Sequence, residues 1–317
     1  MQVTMVFVDG LGLGEADREL NPVLSARTPF LDEVLGKEGL TRGAGTWETE
    51  AAVVVPTDSR LGVPGLPQSA TGQAALLTGQ NAASYMGRHV NALPTSRLKK
   101  FINNYSLFKQ LVKAGFRVTF INAYRDEFFV DMPAGRYRPS VTTVAVMSAG
   151  LPFRTMADLA AGEAVYHDIT NETLGERGYQ VEKVEPELAG ARMAAIARDY
   201  DYALFEFFLT DVVGHKQDRV RAEKTVETLD RFLGSLVRNT NLDRRLILVA
   251  SDHGNIEDLT TNTHTTNPVP TIFFGLDPGW RGLLAKKVRS LVDIAPLIVT
   301  FLYEGRNQAE GMKRGAY

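Results

Sequence analysis

Three aspartates and three histidines of this chain stand where short apolar runs end or are about to begin. Asp9 follows VTMVFV, Asp211 and His215 follow YALFEFFLT, and Asp252 and His253 follow RLILVA. His264 lies in TTNTHTTNPVP, just before another apolar run. In an open parallel sheet, ligands bind beyond the carboxyl ends of the strands, so these positions converge on one rim. Carboxylate oxygen and imidazole nitrogen suit zinc and manganese, and six such donors exceed what one ion with an open position takes. Two divalent metal ions, Mn2+ or Zn2+, are therefore expected. A single His or Asp at a strand end is more often a structural hydrogen-bonding residue or a turn former. It is the shared rim that outweighs that reading.

A second stretch, LPQSATGQAALLTGQNA (66–82), places small polar residues between Pro67 and Gly72, immediately ahead of an apolar run. That is the form of a tight loop feeding a helix N-terminus, where amide donors and the dipole favour an anion. Ser69 or Thr71 beside a metal would have the lowered hydroxyl pKa that nucleophilic attack requires. Without metals nearby, helix capping would be the preferred reading. Four more polar residues are candidates for binding substrate: Arg88 and His89 after this helix, and Arg125 and Asp126 after FRVTFINAY. Arg matches phosphate geometry well, although surface arginines are mostly solvated.

The elements that must position these residues follow from periodicity. Short aliphatic and aromatic runs at 3–8, 116–124, 202–208, 245–250 and 269–275 read as strands buried on both faces. Stretches with helical spacing at 28–39, 106–115, 187–200 and 222–239 lie between them. Strands alternating with helices predict an α/β fold, a mostly parallel sheet with helices on both faces. The helix from 28 carries start signals, with Thr28 as N-cap, Pro29 in the first turn and Asp32 and Glu33 near its positive end. Between Arg125 and Glu185 the rhythm breaks, which predicts a small cap (125–185) inserted between two parts of one core, 1–124 and 186–317.

Composition narrows the classes. A formal charge of −2 over 317 residues gives no electrostatic case for nucleic acid or an anionic membrane. The absence of cysteine excludes disulfides, Cys-zinc sites and thiol nucleophiles. The N-terminus reads as a first strand and not a signal peptide, and no apolar run approaches 18 residues. A soluble, cytoplasmic protein is the expectation, with the oligomeric state open.

Several strings carry a family resemblance: VDGLGLG, TPFLDEV, the Ser loop ending LLTG, DVVGH, SDHGN, THTTNPVP and VDIAPLIV, in that order. The chain resembles the alkaline phosphatase superfamily, most of all cofactor-independent phosphoglycerate mutase and phosphopentomutase. The likeness covers roughly 1–120 and 190–305. It implies an alkaline-phosphatase-like sheet and assigns Asp9, Asp252, His253 and the Ser69 hydroxyl to one ion, with Asp211, His215 and His264 on the other. It also selects Ser69 over Thr71 as the nucleophile, three residues before Gly72. The implied chemistry is in-line phosphoryl transfer through a phosphoserine.

The chain departs from the mutases in two respects. Their long arginine-rich lobe has no counterpart in the short 125–185 segment, and Ala70 and Gln73 stand where the mutase loop has an acid and a histidine. These departures favour a phosphohydrolase or phosphotransferase over a phosphomutase. A phosphodiesterase or phosphonate hydrolase on the same core, and a non-catalytic metal-binding scaffold, are the remaining alternatives.

Overall fold

A computed structural model describes residues 1–36 and 38–314. Lys37 of the expected 28–39 helix and the last three residues of the expected 186–317 part lie outside the described residues. One seven-stranded sheet organises the chain: β1 (Gln2–Val8), β2 (Trp47–Glu48), β3 (Ala52–Thr57), β4 (Val118–Phe120), β5 (Tyr202–Phe207), β6 (Arg245–Ser251) and β7 (Val269–Phe274), in the order β2-β3-β7-β6-β1-β5-β4. β6, β1, β5 and β4 are parallel neighbours. β7 is antiparallel to both β6 and β3, so β3 points the same way as those four. Five strands thus share a direction, and the sheet is mostly parallel as expected.

The strands are apolar throughout because both faces are covered. Alternate residues of β1 divide between two cores, with Val3, Met5 and Phe7 on one side and Val6 and Val8 on the other. β6 does the same, Leu246, Leu248 and Ala250 against Ile247 and Val249. The first core is closed by helices Ser69–Thr78, Ser96–Tyr105, Leu107–Lys113 and Ile294–Arg314. The second is closed by Pro29–Leu35, Pro186–Ala197 and Arg219–Arg238.

Three local expectations are corrected. The strand read over 116–124 is regular only over Val118–Phe120, and the hairpin partners β2 and β3 add an edge that the apolar runs did not reveal. The helix read over 28–39 spans Pro29–Leu35, and Thr28 makes no side-chain cap. Its first amides instead donate to a carboxylate from another helix: Phe30 N and Leu31 N reach Asp230 at 3.2 and 2.7 Å. Within 125–185, helix Val141–Ser148 buries Val141, Val144, Ala145 and Val146 in the first core of the sheet. Residues beyond it gather a small cluster of their own around Leu159, Ala164, Tyr166 and Leu174.

Candidate metal centre

The chain directions explain why six distant residues meet. Asp9 directly follows β1, and Asp252 and His253 directly follow β6. Asp211 lies in the short helix Leu209–Gly214 after β5, with His215 at its C-terminal end. His264 precedes its strand in sequence, yet β7 runs opposite to β6, so the start of β7 lies at the same rim. Ser69 is the first residue of helix Ser69–Thr78, whose N-terminus no side chain caps. Gly72 lets that helix approach, since a Cβ there would stand 2.8 Å from the Asp252 carbonyl oxygen.

Two groups of donor atoms result. In the first, His253 Nε2 lies 3.3 Å from Asp9 Oδ1 and 3.5 Å from Asp252 Oδ2, and Ser69 Oγ lies 3.0 Å from the same nitrogen. In the second, His215 and His264 each place Nε2 3.4 Å from Asp211 Oδ1 and 3.2 Å from one another. The His253 and His264 rings stack at 3.7 Å, so the two groups adjoin. Asp211, His253 and His264 also fall within one donor cluster, as do Asp9, Asp252 and His253.

Hydrogen bonding shows what such a cluster needs. Each imidazole turns Nδ1 to a backbone carbonyl: His215 to Asn262 at 2.8 Å, His264 to Pro67 at 2.8 Å and His253 to Gly254 at 3.3 Å. A carbonyl only accepts, so Nδ1 carries the proton in the neutral ring and Nε2 presents a lone pair. Asp9 Oδ1 and Asp252 Oδ2 are buried without hydrogen-bond partners. Lone pairs and orphaned carboxylate oxygens packed together are costly unless cations join them. The donor set fits divalent metal ions, and the partners behind the imidazoles are those that orient metal-ligating histidines.

The electrostatics carry the same signature. Burial, followed by the charges of Asp252 and Asp211, pushes the Asp9 carboxyl well above its usual range, and burial raises Asp252 too. Burial also opposes ionisation of Asp211, but His264, His253 and the Asn255 amide overcome it and hold the group down at about 2. Burial pushes His253 down, whereas for His264 the neighbouring Asp211 outweighs burial and raises it.

Residues 154–303 match the model of the metalloenzyme superfamily. That match covers just under half of the chain, and over this stretch the chain is similar to alkaline-phosphatase-like metalloenzymes. Among curated proteins it is similar to the 2,3-bisphosphoglycerate-independent phosphoglycerate mutase of Haloarcula marismortui, 35% identical over 129 residues, which are 39% of this chain and 25% of that one. The Agrobacterium fabrum mutase is 32% identical over 134 residues, 38% of this chain and 25% of its own. The match therefore spans about a quarter of the length of these relatives. The PH0037 protein from Pyrococcus horikoshii shares the fold with a TM-score of 0.58 at 14% identity, over 95% of this chain and 96% of that one. A magnesium-bound mutant of the alkaline phosphatase from the bacterium TAB5 aligns at 0.50 and 13% identity, over 95% and 97% of the two chains.

Beside the donor cluster opens a cavity of about 650 Å3, whose lining includes Asp9, Ser69, Asp211 and His215. Arg125 lines it, and Asp126 borders a neighbouring hollow of the cap. Arg88 and His89 are not brought there: Arg88 is exposed, and His89 Nε2 contacts the Val63 carbonyl at 3.2 Å. Thr71 Oγ1 faces away from the donors, accepting from Val90 N and reaching the Gln68 carbonyl.

Four residues absent from the sequence-based set support the site. Gln73 Nε2 donates to Asp9 Oδ2 at 3.1 Å, and Asn255 Nδ2 donates to Asp211 Oδ1 at 2.7 Å. Glu257 accepts from Gly12 N and Asn255 N with one oxygen and from Thr265 Oγ1 and Asn267 Nδ2 with the other. Glu206, at the end of β5, lines the cavity, and burial raises its carboxyl to about 7. Asn255 ends the SDHGN string and Glu206 interrupts the apolar run YALFEFF, but nothing local to the sequence distinguishes Glu257 from an ordinary acid.

Proposed function

We propose that the protein is a two-metal phosphohydrolase or phosphotransferase that acts on a small phosphorylated metabolite through a phosphoserine on Ser69. The observation that carries this reading is the place of Ser69 Oγ, at an uncapped helix N-terminus and 3.0 Å from a nitrogen of the donor cluster. Asp9, Asp252, His253 and the Ser69 hydroxyl would hold one divalent ion, and Asp211, His215 and His264 the other. Manganese and zinc both suit this donor set. When bound, such ions lower the pKa of an adjacent hydroxyl and offset charge on a transferring phosphoryl group.

The rest of the chemistry belongs to the chain. Ser69 Oγ loses its proton and bonds to phosphorus while the leaving oxygen departs and is protonated. The free amides of the first helical turn favour the negative phosphoryl oxygens. Gln73 holds Asp9 by its outer oxygen and leaves Oδ1 for an ion. Attack by water on the phosphoserine then releases phosphate and restores Ser69.

Metal-stripped protein, reloaded separately with manganese and with zinc, should release phosphate from a panel of phosphate monoesters. Ser69→Ala should lower that rate by at least about a thousandfold, the scale of losing a covalent nucleophile, while still binding metal. Isomerisation of one ester without phosphate release would make the protein a phosphomutase. Unchanged release in Ser69→Ala would refute the phosphoserine route.

A further inference from the structure

The cavity is also walled by aromatic rings. Tyr124 and Phe128 lie with centroids 4.2 Å apart, and Tyr137 meets Phe128 edge-on at 5.0 Å. A second set joins Tyr166 to His167 at 4.2 Å and His167 to Phe208 in a stack at 4.1 Å and 23°. Phe208 stands three residues before Asp211, which ties this wall to the donor cluster. We propose that the cavity takes phosphate monoesters whose leaving group carries a flat heterocyclic ring, of which nucleoside monophosphates are the simplest. The proposal rests on the phosphotransfer reading above and names its substrate class.

Three observations favour this occupant over a short polyol or glycerate ester. The volume of about 650 Å3 falls within the 300–1,000 Å3 of pockets that enclose drug-sized ligands, more than a three-carbon ester fills. Hydroxyls laid against rings find no partners, whereas a flat ring gains offset or edge contacts with them. Charge discriminates as well. Glu127, Asp131 and Glu206 line the cavity alongside Arg125 and Arg177, so a second carboxylate or phosphate on the leaving group meets acids as well as cations.

His167 distinguishes a heterocycle from a plain aryl ring. Burial holds it neutral, its pKa lowered to about 3, and its Nδ1 is buried without a partner. A neutral imidazole can both donate and accept, which matches the nitrogen and carbonyl edge of a nucleobase. A hydrocarbon ring leaves it unanswered.

The test is a comparison of kcat/KM on metal-reloaded, full-length protein for adenosine and cytidine monophosphates, 4-nitrophenyl phosphate, ribose 5-phosphate and 3-phosphoglycerate. The nucleotides should exceed ribose 5-phosphate, which lacks only the base, by at least about tenfold, with the aryl ester between. Tyr137→Ala should reduce that ratio severalfold, mainly through KM, and Tyr137→Phe should retain it. Ribose 5-phosphate or phosphoglycerate turned over as well as the nucleotides, in a Ser69-dependent reaction, overturns the ring proposal and leaves the phosphoserine reading standing. If no ester reacts, calorimetry on Ser69→Ala protein decides. Adenosine monophosphate binding that Tyr137→Ala weakens about tenfold supports the ring site, and no binding refutes it.

Discussion

Glu257 shows how much of this centre depends on a residue with no ligand role. It is 1% exposed, and its two oxygens take hydrogen bonds from the loop after β1, the loop after β6 and the segment that carries His264. Gly12 and Gly254 make room for it, since a Cβ at either would lie 2.2 Å from Glu257 Oε1. Glu257→Gln keeps the shape but turns an amide N–H2 toward donors. The expected cost is about 1–3 kcal/mol of stability, measured by denaturant unfolding. The expected loss of metal affinity, measured by chelator competition, is about 10–100-fold, the usual effect of disturbing the groups behind metal ligands. The candidate donors stood out because Asp9, Asp252 and His253 directly follow apolar strands, Asp211 and His215 come one short helix after another, and His264 precedes a fourth. Glu257 was not, because a lone Glu in a polar loop looks like any solvated acid until the fold brings Gly12 to it from 245 residues away.

At the scale of elements, the helix Pro29–Leu35 makes the same point. Its sequence carries a Thr, a Pro and acids in the positions that usually start a helix, yet the capping acceptor is Asp230, from helix Arg219–Arg238. The cap also joins two helices on one face of the sheet. Asp230→Ala should cost about 0.5–2 kcal/mol in chemical unfolding and leave turnover unaffected, because the pair lies away from the metal-binding rim. The five short apolar runs located five of the seven strands because burial on both faces writes itself as continuous hydrophobicity. Helix Val141–Ser148 was hidden for the opposite reason. Its VTTVAVMS buries threonines along with valines and is rich in β-branched residues, so it has little helical periodicity even though it packs among other helices.

For the whole molecule, the buried acids set how stability varies with pH. Asp9 and Asp252 are raised by burial, and Glu206 goes from 4.5 to about 7. A raised acid contributes stability in full below its unfolded value and loses it as pH rises through the folded value. Asp211 is depressed to about 2, so it opposes this trend only below pH 3.8. The buried histidines His167 and His253 are lowered from 6.5, so they add stability as pH rises to that value and no further. Metal-free protein should therefore melt at a lower temperature at pH 8 than at pH 6.5, and added manganese or zinc should reverse most of that difference. Scanning calorimetry with and without chelator checks both; a metal-free melting temperature that rises from pH 6.5 to 8 would contradict the account. Ions held by these acids would be part of the fold as well as of the proposed chemistry.

The order of strands in the sheet also bears on how the chain is made. β1 is synthesised first, but its two neighbours are β5 and β6, which begin at Tyr202 and Arg245. Its six consecutive buried residues, Val3–Val8, therefore wait with both edges unpaired until β5, beginning at Tyr202, has been made. Such a segment is an open template for the wrong strand, in its own chain or in another. Asp9 shares this delay, since Asp252 cannot join it until β6 has closed against β1. Possession of its ions would then mark a newly made molecule as one that has finished folding.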